Sequence, residues 1–353
     1  MRGAAIAMLL APFAVPPATA GAQEIASPTG ICPDVRSRAF DFWIGDWDVN
    51  NRHRRPDSDD PIWYETGAAV DRVSPIIDGC AVIDYWEGTL TYDRVIGFGM
   101  AAFDPARGLW DLALLWPSRD RPTFSNFSGE FRHGRGEFFA EGVDTHGRPQ
   151  MTRITFADIR PDAFRWDLAL SGDSGITWRT SWIQEYTRRD PAVEGPLPAM
   201  QPDTTPRCEF PELYEFQFAL GRWEGTATLA DGTTLPVTLE SRQALDACGI
   251  EDRMRSADGR WASFEMRTHD VAVHSWVAYR IDTAHPVLQR LEGTVRGREG
   301  QFAGTRAGTD GEVLITARWH FGGDTGLQYE LRESADGGAT WTTVLAAQLH
   351  NVQ

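Results

Sequence analysis

The chain contains no lysine, so all 34 of its basic residues are arginines, and these stand against 50 acidic residues for a formal net charge of −16. A protein that binds nucleic acid needs a basic surface to neutralise phosphates. An anionic membrane surface likewise attracts clusters of positive charge. The charge balance therefore argues against both of these partners.

Long apolar runs are also scarce. No segment beyond the N-terminus is long enough to span a bilayer as a helix, so the sequence predicts no integral membrane segment. The early apolar run 4–15 follows Arg2 and precedes the small residues 18–20, which is the pattern of a secretory signal peptide over residues 1–22. The alternative, a native N-terminal helix, conflicts with the prolines at 12, 16 and 17. We therefore predict an exported protein, periplasmic or extracellular.

The chain does contain an internal repeat. Cys32 lies 15 residues before Trp47, and Cys208 lies 15 residues before Trp223. An Asp-x-Cys segment and a Ser-x-Asp-x-Gly-x-Thr-Trp segment then follow in the same order in each half. Two copies are too few for a solenoid or a propeller. We therefore predict two domains, 31–190 and 207–353, joined by a proline-rich linker at 191–206.

Within each half, large apolar residues alternate with polar ones in short segments bounded by turns. Examples are 110–116 and 164–170 in the first half and 274–278 and 327–331 in the second. A period of two is typical of half-buried strands. Regularly spaced strands of this kind predict an all-β barrel or sandwich.

The stretch around Gly45 combines two patterns. After it, Trp47 and Val49 share one strand face, and Asp46 and Asp48 share the other, which we predict to face outward. The aromatic run before Gly45 does not alternate. It predicts a short helical turn that closes one end of the sheet.

The four cysteines fall as one pair in each half. In an exported protein such pairs form disulfides, so we predict Cys32–Cys80 and Cys208–Cys248. Closing loops of this size stabilises a protein by about 4 kcal/mol in the chain-entropy model. The alternative is a metal site, but there is no Cys-x-x-Cys pair and no histidine at metal-ligand spacing, so no metal is predicted.

The segment 172–175, Gly-Asp-Ser-Gly, resembles the nucleophile segment of a serine protease. The repeat excludes that interpretation, because the second half has Ala-Asp-Gly-Gly at the matching place. Both segments resemble instead the Asp-box turn of sialidases, which is a structural hairpin. The resemblance implies that Asp173 and Asp336 accept backbone hydrogen bonds and that Trp178 and Trp341 pack beneath. A glycosidase would carry several boxes on propeller blades, which two boxes 163 residues apart do not fit.

Histidines are few, and neither a metalloprotease nor a lipase motif is present. His350, on the expected last strand, is the one candidate haem ligand, and its counterpart in the first half is Thr187. A lone histidine at such a place is more often a surface residue. The sequence therefore predicts no cofactor, with haem at His350 as the alternative, and it nominates no catalytic residue.

The opening 40–49, the Asp-Gly-Cys at 78–80, the segment 103–110 and the closing Asp-box resemble a family of uncharacterised secreted bacterial proteins with the same Phe-Trp-x-Gly-x-Trp opening. That family is similar to the calycins, which include lipocalins, fatty-acid-binding proteins and nitrobindins. The resemblance covers nearly all of the chain after the signal peptide, once per half. It implies an all-β fold of two tandem antiparallel barrels with eight to ten strands each.

In calycins, an arginine or lysine of the last strand covers the tryptophan of the first strand. The resemblance implies that Arg188 or Arg189 covers Trp47, and it gives Trp223 the same structural position in the second half. The second half ends at 350–353 without such an arginine. Closure of the second barrel therefore does not follow from the resemblance.

Our first hypothesis is a non-enzymatic protein that binds a small apolar or amphipathic molecule in a barrel cavity, because barrels of eight or more strands hold one such ligand. The aromatic residues predicted to line the cavities are Trp86, Trp116, Phe127, Phe139 and Trp166 in the first half and Trp276, Phe302 and Trp319 in the second. The alternative for each is an ordinary core position. Two other functions stay open: a barrel-type enzyme for a small carbonyl or ester, and a filled barrel that serves as an interaction module.

Overall fold

The computed structural model describes residues 32, 34–54, 62–90, 93–116, 122–144, 146–195, 197, 208, 211–271, 273–308, 311–323 and 326–352. The predicted signal peptide and most of the predicted linker lie outside these residues. The described chain forms two closed antiparallel barrels of ten strands each, in tandem. The predicted all-β fold of two barrels is therefore confirmed, and the sandwich alternative is excluded.

In each barrel every strand pairs with its neighbours in the sequence, and the last strand pairs with the first. The strands of the first barrel are β1 (Gly45–His53), β2 (Tyr64–Ile76), β3 (Ala81–Leu90), β4 (Asp93–Asp104), β5 (Leu109–Leu115), β6 (Phe124–Arg132), β7 (Arg135–Val143), β8 (Pro149–Ala157), β9 (Ala163–Ser171) and β10 (Arg179–Arg188). Those of the second barrel are β11 (Gly221–Leu229), β12 (Thr234–Ala244), β13 (Gly249–Ser256), β14 (Ala262–Asp270), β15 (Ser275–Asp282), β16 (Gln289–Arg296), β17 (Glu299–Ala307), β18 (Glu312–Phe321), β19 (Leu327–Ser334) and β20 (Thr342–Asn351).

Helical segments are short. They are 3-10 turns at Val35–Arg38, Asp41–Trp43, Ile77–Gly79, Pro211–Tyr214 and Gln217–Ala219, and a one-turn α-helix, α1, at Pro191–Glu194. None of the helices within the described ranges combines the length and the apolar character needed to cross a bilayer. The turn before β1 inserts Phe40 into the barrel end, where its ring lies 4.8 Å from the rings of Trp110 and Phe131. The predicted closing turn is therefore present and acts as an aromatic plug.

The junction of β1 and β10 is fixed by one arginine. Trp47 is fully buried inside the first barrel, and the Arg188 guanidinium lies 4.1 Å from the centre of its ring. The same guanidinium donates hydrogen bonds to the carbonyls of Ile44 and Phe42, each at 2.8 Å. Of the two arginines considered from the sequence, Arg188 covers the tryptophan, whereas Arg189 forms a salt bridge outside the barrel.

The second barrel closes without such an arginine, since β11 pairs with β20 along its length. Trp223 is buried, and its indole N–H donates to the carbonyl of Ala219 at 2.8 Å. The ring of Phe321 packs edge-on against it at 6.0 Å. Asn351 pairs with Trp223 in the register position that Arg188 takes opposite Trp47. Aromatic packing therefore replaces the cation at this junction.

Both predicted disulfides are present, Cys32–Cys80 and Cys208–Cys248. They span 48 and 40 residues. Each joins the segment before the first strand of its barrel to the turn before the third strand. The disulfides therefore tie each plug to its own barrel.

The predicted Asp-box turns connect the last two strands of each barrel. Asp173 accepts the Thr177 hydroxyl at 2.6 Å and the Thr177 backbone N–H at 2.8 Å. Asp336 accepts the same two groups of Thr340 at 2.6 and 2.9 Å. These bonds lower the pKa of both carboxyls to about 2.

The tryptophan that ends each Asp-box packs back on its own turn. Trp178 donates its indole N–H to the carbonyl of Gly175 at 3.0 Å, and Trp341 does the same to Gly338 at 3.1 Å. The two turns thus have the same internal hydrogen bonds and close hairpins of barrels. Because the sheets are barrels and not propeller blades, the glycosidase alternative loses its basis.

The two barrels pack against each other through the outer faces of β3–β5 and β13–β15. One continuous hydrophobic cluster contains outward side chains of both barrels, among them Ile83, Phe98, Met100, Phe264, Met266 and Val277. The Tyr85 hydroxyl donates to Glu251 across this interface, and the Tyr279 hydroxyl donates to Asn126. These strands are therefore buried on both of their faces.

The interface brings equivalent residues together. Tyr85 and Arg253 each lie five residues after a disulfide cysteine, and Phe98 and Phe264 lie opposite them on the next strand. Phe98 and Phe264 stack on each other with ring centroids 6.0 Å apart and an interplanar angle of 12°. The two barrels therefore meet through the same surface.

Candidate functional site

Two acidic side chains point into the first barrel from neighbouring strands. Asp71 on β2 lies opposite Trp86, and Asp84 on β3 lies opposite Gly99. The exposed fractions of the two aspartates are only 0% and 7%. Residue 99 has to be a glycine, because a Cβ atom there would lie 2.0 Å from Oδ1 of Asp84. The absent side chain makes room for the carboxyl group.

Few protein groups satisfy these carboxyls. The Trp43 indole N–H donates to Oδ2 of Asp71 at 3.2 Å, and the Tyr186 hydroxyl beside it donates to Oε1 of Gln184 at 2.7 Å. Four buried polar atoms here have no hydrogen-bond partner among the described residues: Oδ1 of Asp71, Oδ1 of Asp84, Nε1 of Trp86 and Nε2 of Gln184. A buried polar atom left unpaired costs about 1–3 kcal/mol. Four such atoms lie in one region, where a bound molecule could hydrogen-bond with them.

Burial changes the ionisation of the two acids. Desolvation raises the pKa of Asp84 to about 7. It raises the pKa of Asp71 well above the usual range, and repulsion by Asp84 adds to this effect. The same desolvation raises the pKa of Tyr186. At pH 7 Asp71 is therefore protonated and Asp84 is divided between its protonated and ionised forms, so this region contains carboxyl groups that can donate a hydrogen bond or a proton.

Four tryptophans cover the acids on the side away from the plug. Trp86, Trp116 and Trp182 contact one another with ring centroids 5.2, 5.4 and 6.0 Å apart, and Trp166 lies 5.5 Å from Trp182. A Cβ atom at residue 97 would lie 2.4 Å from the Trp116 ring, so this glycine gives the ring its place. The inside of the first barrel thus contains polar groups near the plug and a cluster of tryptophan rings on the side away from it.

The structure brings together most of the residues predicted to line the first cavity. Trp86, Trp116 and Trp166 belong to the tryptophan cluster, and Phe127 is buried on the inward face of β6. Phe139 is different, because it lies on the outer face of β7 with 38% of its surface exposed. The inward placement predicted for Phe139 is wrong. Its neighbour Phe138 points inward instead, and alternation alone could not choose between two adjacent phenylalanines.

In the second barrel Trp276, Phe302 and Trp319 all point inward and are buried. They surround charged residues that sequence analysis missed. Arg267 lies against the rings of Phe216 and Trp319, with its guanidinium carbon 4.4 and 4.8 Å from their centres. The sequence signal was present, because Arg267 stands at an inward position of β14, where an apolar residue is expected.

The charges inside the second barrel form ion pairs with one another. Arg267 contacts Asp252 and lies 3.3 Å from Glu265, and Arg280 lies 2.7 Å from Asp282. Burial lowers the pKa of Arg267 to about 9 and raises that of Glu265 to about 7. Each buried arginine has a carboxylate partner. The buried charges of the second barrel therefore form an internal ion-pair network.

The outer surface holds the remaining candidates. His350 is exposed on β20, whereas Leu349 beside it points inward, so His350 is not placed to ligate a haem inside the barrel. Asp46 and Asp48 lie on the outer face of β1, as predicted. Within the ranges that the structure describes, no three His, Cys, Asp or Glu side chains come together as a metal site.

No protein-family profile matches the chain, and no curated protein matches it either. Several solved structures are similar to it, among them the following two. One, described as EF1p2_mFAP2b bound to DFHBI, is 14% identical with a TM-score of 0.24, and the match covers 44% of this chain and 99% of that one. The other is a protein of unknown function from the DUF3598 family of Nostoc punctiforme PCC 73102, 13% identical with a TM-score of 0.27, covering 90% of this chain and 100% of that one. Similarity this distant identifies neither a function nor a ligand.

Proposed function

We propose that this chain is an exported, non-enzymatic protein and that its first barrel binds a small amphipathic molecule. The observation that carries the proposal is the set of buried, unpartnered polar atoms of Asp84, Trp86 and Gln184 beneath the tryptophan cluster. A carbonyl, ester or ether oxygen of a ligand would accept hydrogen bonds from Trp86 Nε1, from Gln184 Nε2 and from the protonated Asp84. The apolar part of the ligand would lie against the tryptophans.

Export to the periplasm or beyond is part of the proposal. Two disulfides support it, because such bonds persist in oxidising compartments. The signal-peptide pattern at 1–22 supports it from the sequence. N-terminal sequencing of the protein recovered from the periplasm of its host would test this part, and a mature chain that begins near residue 23 is the expected result.

The binding proposal is tested by native mass spectrometry of protein purified from its host, before and after solvent extraction. We expect a removable mass of a few hundred daltons, about the weight of a drug-sized ligand. A mass equal to that of the disulfide-bonded polypeptide, with no uptake from a lipid and metabolite extract, would contradict the proposal. The filled-barrel interaction module would then be the better hypothesis.

Two variants locate the bound molecule. Trp86→Phe removes the indole N–H and keeps an aromatic ring, and Gln184→Met removes the amide and keeps a side chain of similar length. Together they should weaken retention of the ligand by at least about tenfold, since each hydrogen bond is worth about 1 kcal/mol. Trp341→Phe, in the exposed Asp-box of the second barrel, is the matched control and should leave retention unchanged.

A barrel-type enzyme for a small carbonyl compound is the second candidate, and one observation favours it. The pKa of Asp84 is about 7, which suits a group that takes and returns a proton at neutral pH. In deuterium oxide the Asp84 carboxylate would remove an α-proton from a ketone and return a deuteron. Nuclear magnetic resonance of small ketones would detect this exchange, and Asp84→Asn should abolish it. If no ketone exchanges faster with protein than without, this candidate fails.

A further inference from the structure

A cleft of about 560 Å³ lies where the two barrels meet. On the side of the first barrel it is lined by Ile76 and Ile77 at the end of β2, and on the side of the second barrel by Phe264 on β14. Its volume falls in the range of small-molecule pockets, which occur preferentially at domain junctions. The cleft is separate from the interior of the first barrel, because on that side its lining residues belong to the plug segment and to the end of β2 with the turn after it.

Two arginines of β13 face this cleft. Arg253 and Arg255 are two residues apart on the outer face of the strand, so their Cα atoms are about 7 Å apart. Arg253 is held in place, because its Nε donates to Glu251 at 2.6 Å and its guanidinium carbon lies 5.1 Å from the centre of the Phe264 ring. Arg255 is exposed and makes no ion pair within the described part of the chain.

Arg253 is paired with Glu251, and the acids of the cleft leave Arg255 without an ion pair in the described part of the chain. Asp41 is already bound to Arg38 at 2.7 Å, and Glu240 lies opposite Arg253 on β12. The charged lining residues are Arg38, Arg222, Arg253 and Arg255 against Asp41, Asp78 and Glu240. An excess of arginine at one place is unusual in a chain with a net charge of −16.

Of the two arginines, Arg253 belongs to the barrel interface, because it lies over Phe264 and binds Glu251, whereas Arg255 is exposed in the cleft. Tyr85 and Glu87 of the first barrel stand five and seven residues after Cys80, as Arg253 and Arg255 stand after Cys248. Glu87 forms a salt bridge with Arg94 of its own barrel at 2.7 Å. The same surface therefore carries the acid Glu87 in one barrel and the cation Arg255 at the matching position in the other, and Arg255 is exposed to a ligand in the cleft.

We infer that this cleft binds an amphipathic anion, a molecule with a carboxylate and an aliphatic chain. The carboxylate would accept hydrogen bonds from Arg253 and Arg255, since guanidinium groups bind carboxylates strongly and with defined geometry. The chain would lie on Ile76, Ile77 and Phe264. The inference is independent of the ligand proposed for the first barrel.

Isothermal titration calorimetry of the full chain at pH 7.5 with sodium decanoate and with decanol tests the inference. We expect decanoate to bind and decanol to bind at least about tenfold more weakly, because a hydrogen bond to a charged group is worth about 1.5–3 kcal/mol. Arg255→Gln should weaken decanoate binding by a similar factor. Arg260→Gln is the matched control, because Arg260 is equally exposed on the neighbouring turn and outside the cleft.

A second pair of variants separates the two sites. Ala262→Phe places a ring in the cleft and should abolish decanoate binding, whereas Trp86→Phe in the first barrel should leave it unchanged. Equal affinity for decanoate and decanol, or binding that Arg255→Gln leaves intact, would overturn the anionic ligand class. Loss of binding in Trp86→Phe but not in Ala262→Phe would place decanoate in the first barrel and overturn the cleft site. Absence of any binding would overturn the inference outright.

Discussion

The two barrels carry an aspartate at the same interior position and use it differently. Asp84 and Asp252 each lie four residues after a disulfide cysteine and point inward from the third strand of their barrel. Asp252 contacts the buried Arg267. Asp84 faces Gly99 instead and forms no salt bridge within the described ranges. One scaffold thus holds the same carboxyl group either as half of an ion pair or as a neutral acid.

The difference comes from two residues of the neighbouring strand. Glu265 of the second barrel has Gly99 as its counterpart in the first, and Arg267 has Ala101. Replacing a large charged pair by two small residues removes the cation and makes room for the Asp84 carboxyl group. Both interiors contain polar atoms without a hydrogen-bond partner among the described residues, such as Trp86 Nε1 in the first barrel and Trp319 Nε1 in the second. The difference between the barrels is therefore that the interior aspartates of the first have no cation beside them.

The largest effect is expected when the second barrel loses its central cation. Arg267→Met leaves Asp252 and Glu265 in the interior without their shared partner. Breaking a buried ion pair on one side costs about 3–5 kcal/mol, and we expect the free energy of unfolding in urea to fall by about this amount. The double variant Arg267→Met/Asp252→Asn should recover part of the loss. Unchanged stability of the single variant would mean that the network does not stabilise the barrel.

The second prediction concerns the neutral acid. The pKa of Asp84 is about 7 in the folded chain against an ordinary value of 3.8. Between these pH values the folded state binds more protons than the unfolded chain, so the free energy of unfolding falls as the pH rises, by on the order of 4 kcal/mol by pH 8. Asp84→Asn stays neutral. It should be more stable than the parent chain at pH 8 by about 2–4 kcal/mol.

Urea unfolding at several pH values measures this effect. Because Asp71 still binds a proton, the decline of stability between pH 4 and 7 should become about half as steep in Asp84→Asn, and not disappear. The equivalent variant Asp252→Asn should be destabilised at both ends of the range, since it removes one of the two carboxylate partners of the buried Arg267. A pH dependence of Asp84→Asn equal to that of the parent chain would show that Asp84 is ionised in the fold.

The third prediction compares the two barrel closures. Arg188→Ala removes a cation that covers Trp47 and satisfies several carbonyls, so the free energy of unfolding should fall by about 2–3 kcal/mol. Asn351→Ala, at the matching place in the second barrel, should change it by no more than about 0.5 kcal/mol. Chemical denaturation of both variants gives the comparison. Equal losses would mean that the aromatic packing at Trp223 does not replace the arginine.

The smallest effects are expected at the Asp-boxes, where the two barrels are alike. Hydrogen bonds lower the pKa of Asp173 and Asp336 to about 2, so their stabilising effect is present above pH 3.8 and is lost as the pH falls through about 2. Asp173→Ala and Asp336→Ala should therefore lower the melting temperature slightly and equally at pH 7, and less at pH 3. Unequal shifts at pH 7 would show that the turns have different roles.

Much of the fold could be predicted from the sequence because most strands have one solvent-exposed face and one buried face. Alternation located strands such as 110–116 and 164–170, and the positions of the cysteines gave both disulfides. The contact between the barrels could not be predicted in this way. The segment 95–103 on β4 is apolar at nearly every position because both of its faces are buried, and such a run has no period to interpret.

The candidate site was harder to predict for a related reason. An aspartate on a strand is taken to mark the solvent face, so Asp71 and Asp84 gave no indication of an interior site. A weak signal exists, because Asp84 interrupts the run 81–86, in which all the remaining residues are hydrophobic. The aromatic lining was easier, since Trp86, Trp116 and Trp166 could be placed inward by alternation alone.

The stacking of Phe98 on Phe264 has a consequence for assembly. A residue meets its own equivalent only near a twofold axis, so the two barrels are arranged as the subunits of a symmetric homodimer. In such an isologous contact each subunit contributes the same surface patch. Here the two patches are buried against each other within a single polypeptide. We therefore expect this patch to be unavailable for assembly with a second copy of the chain.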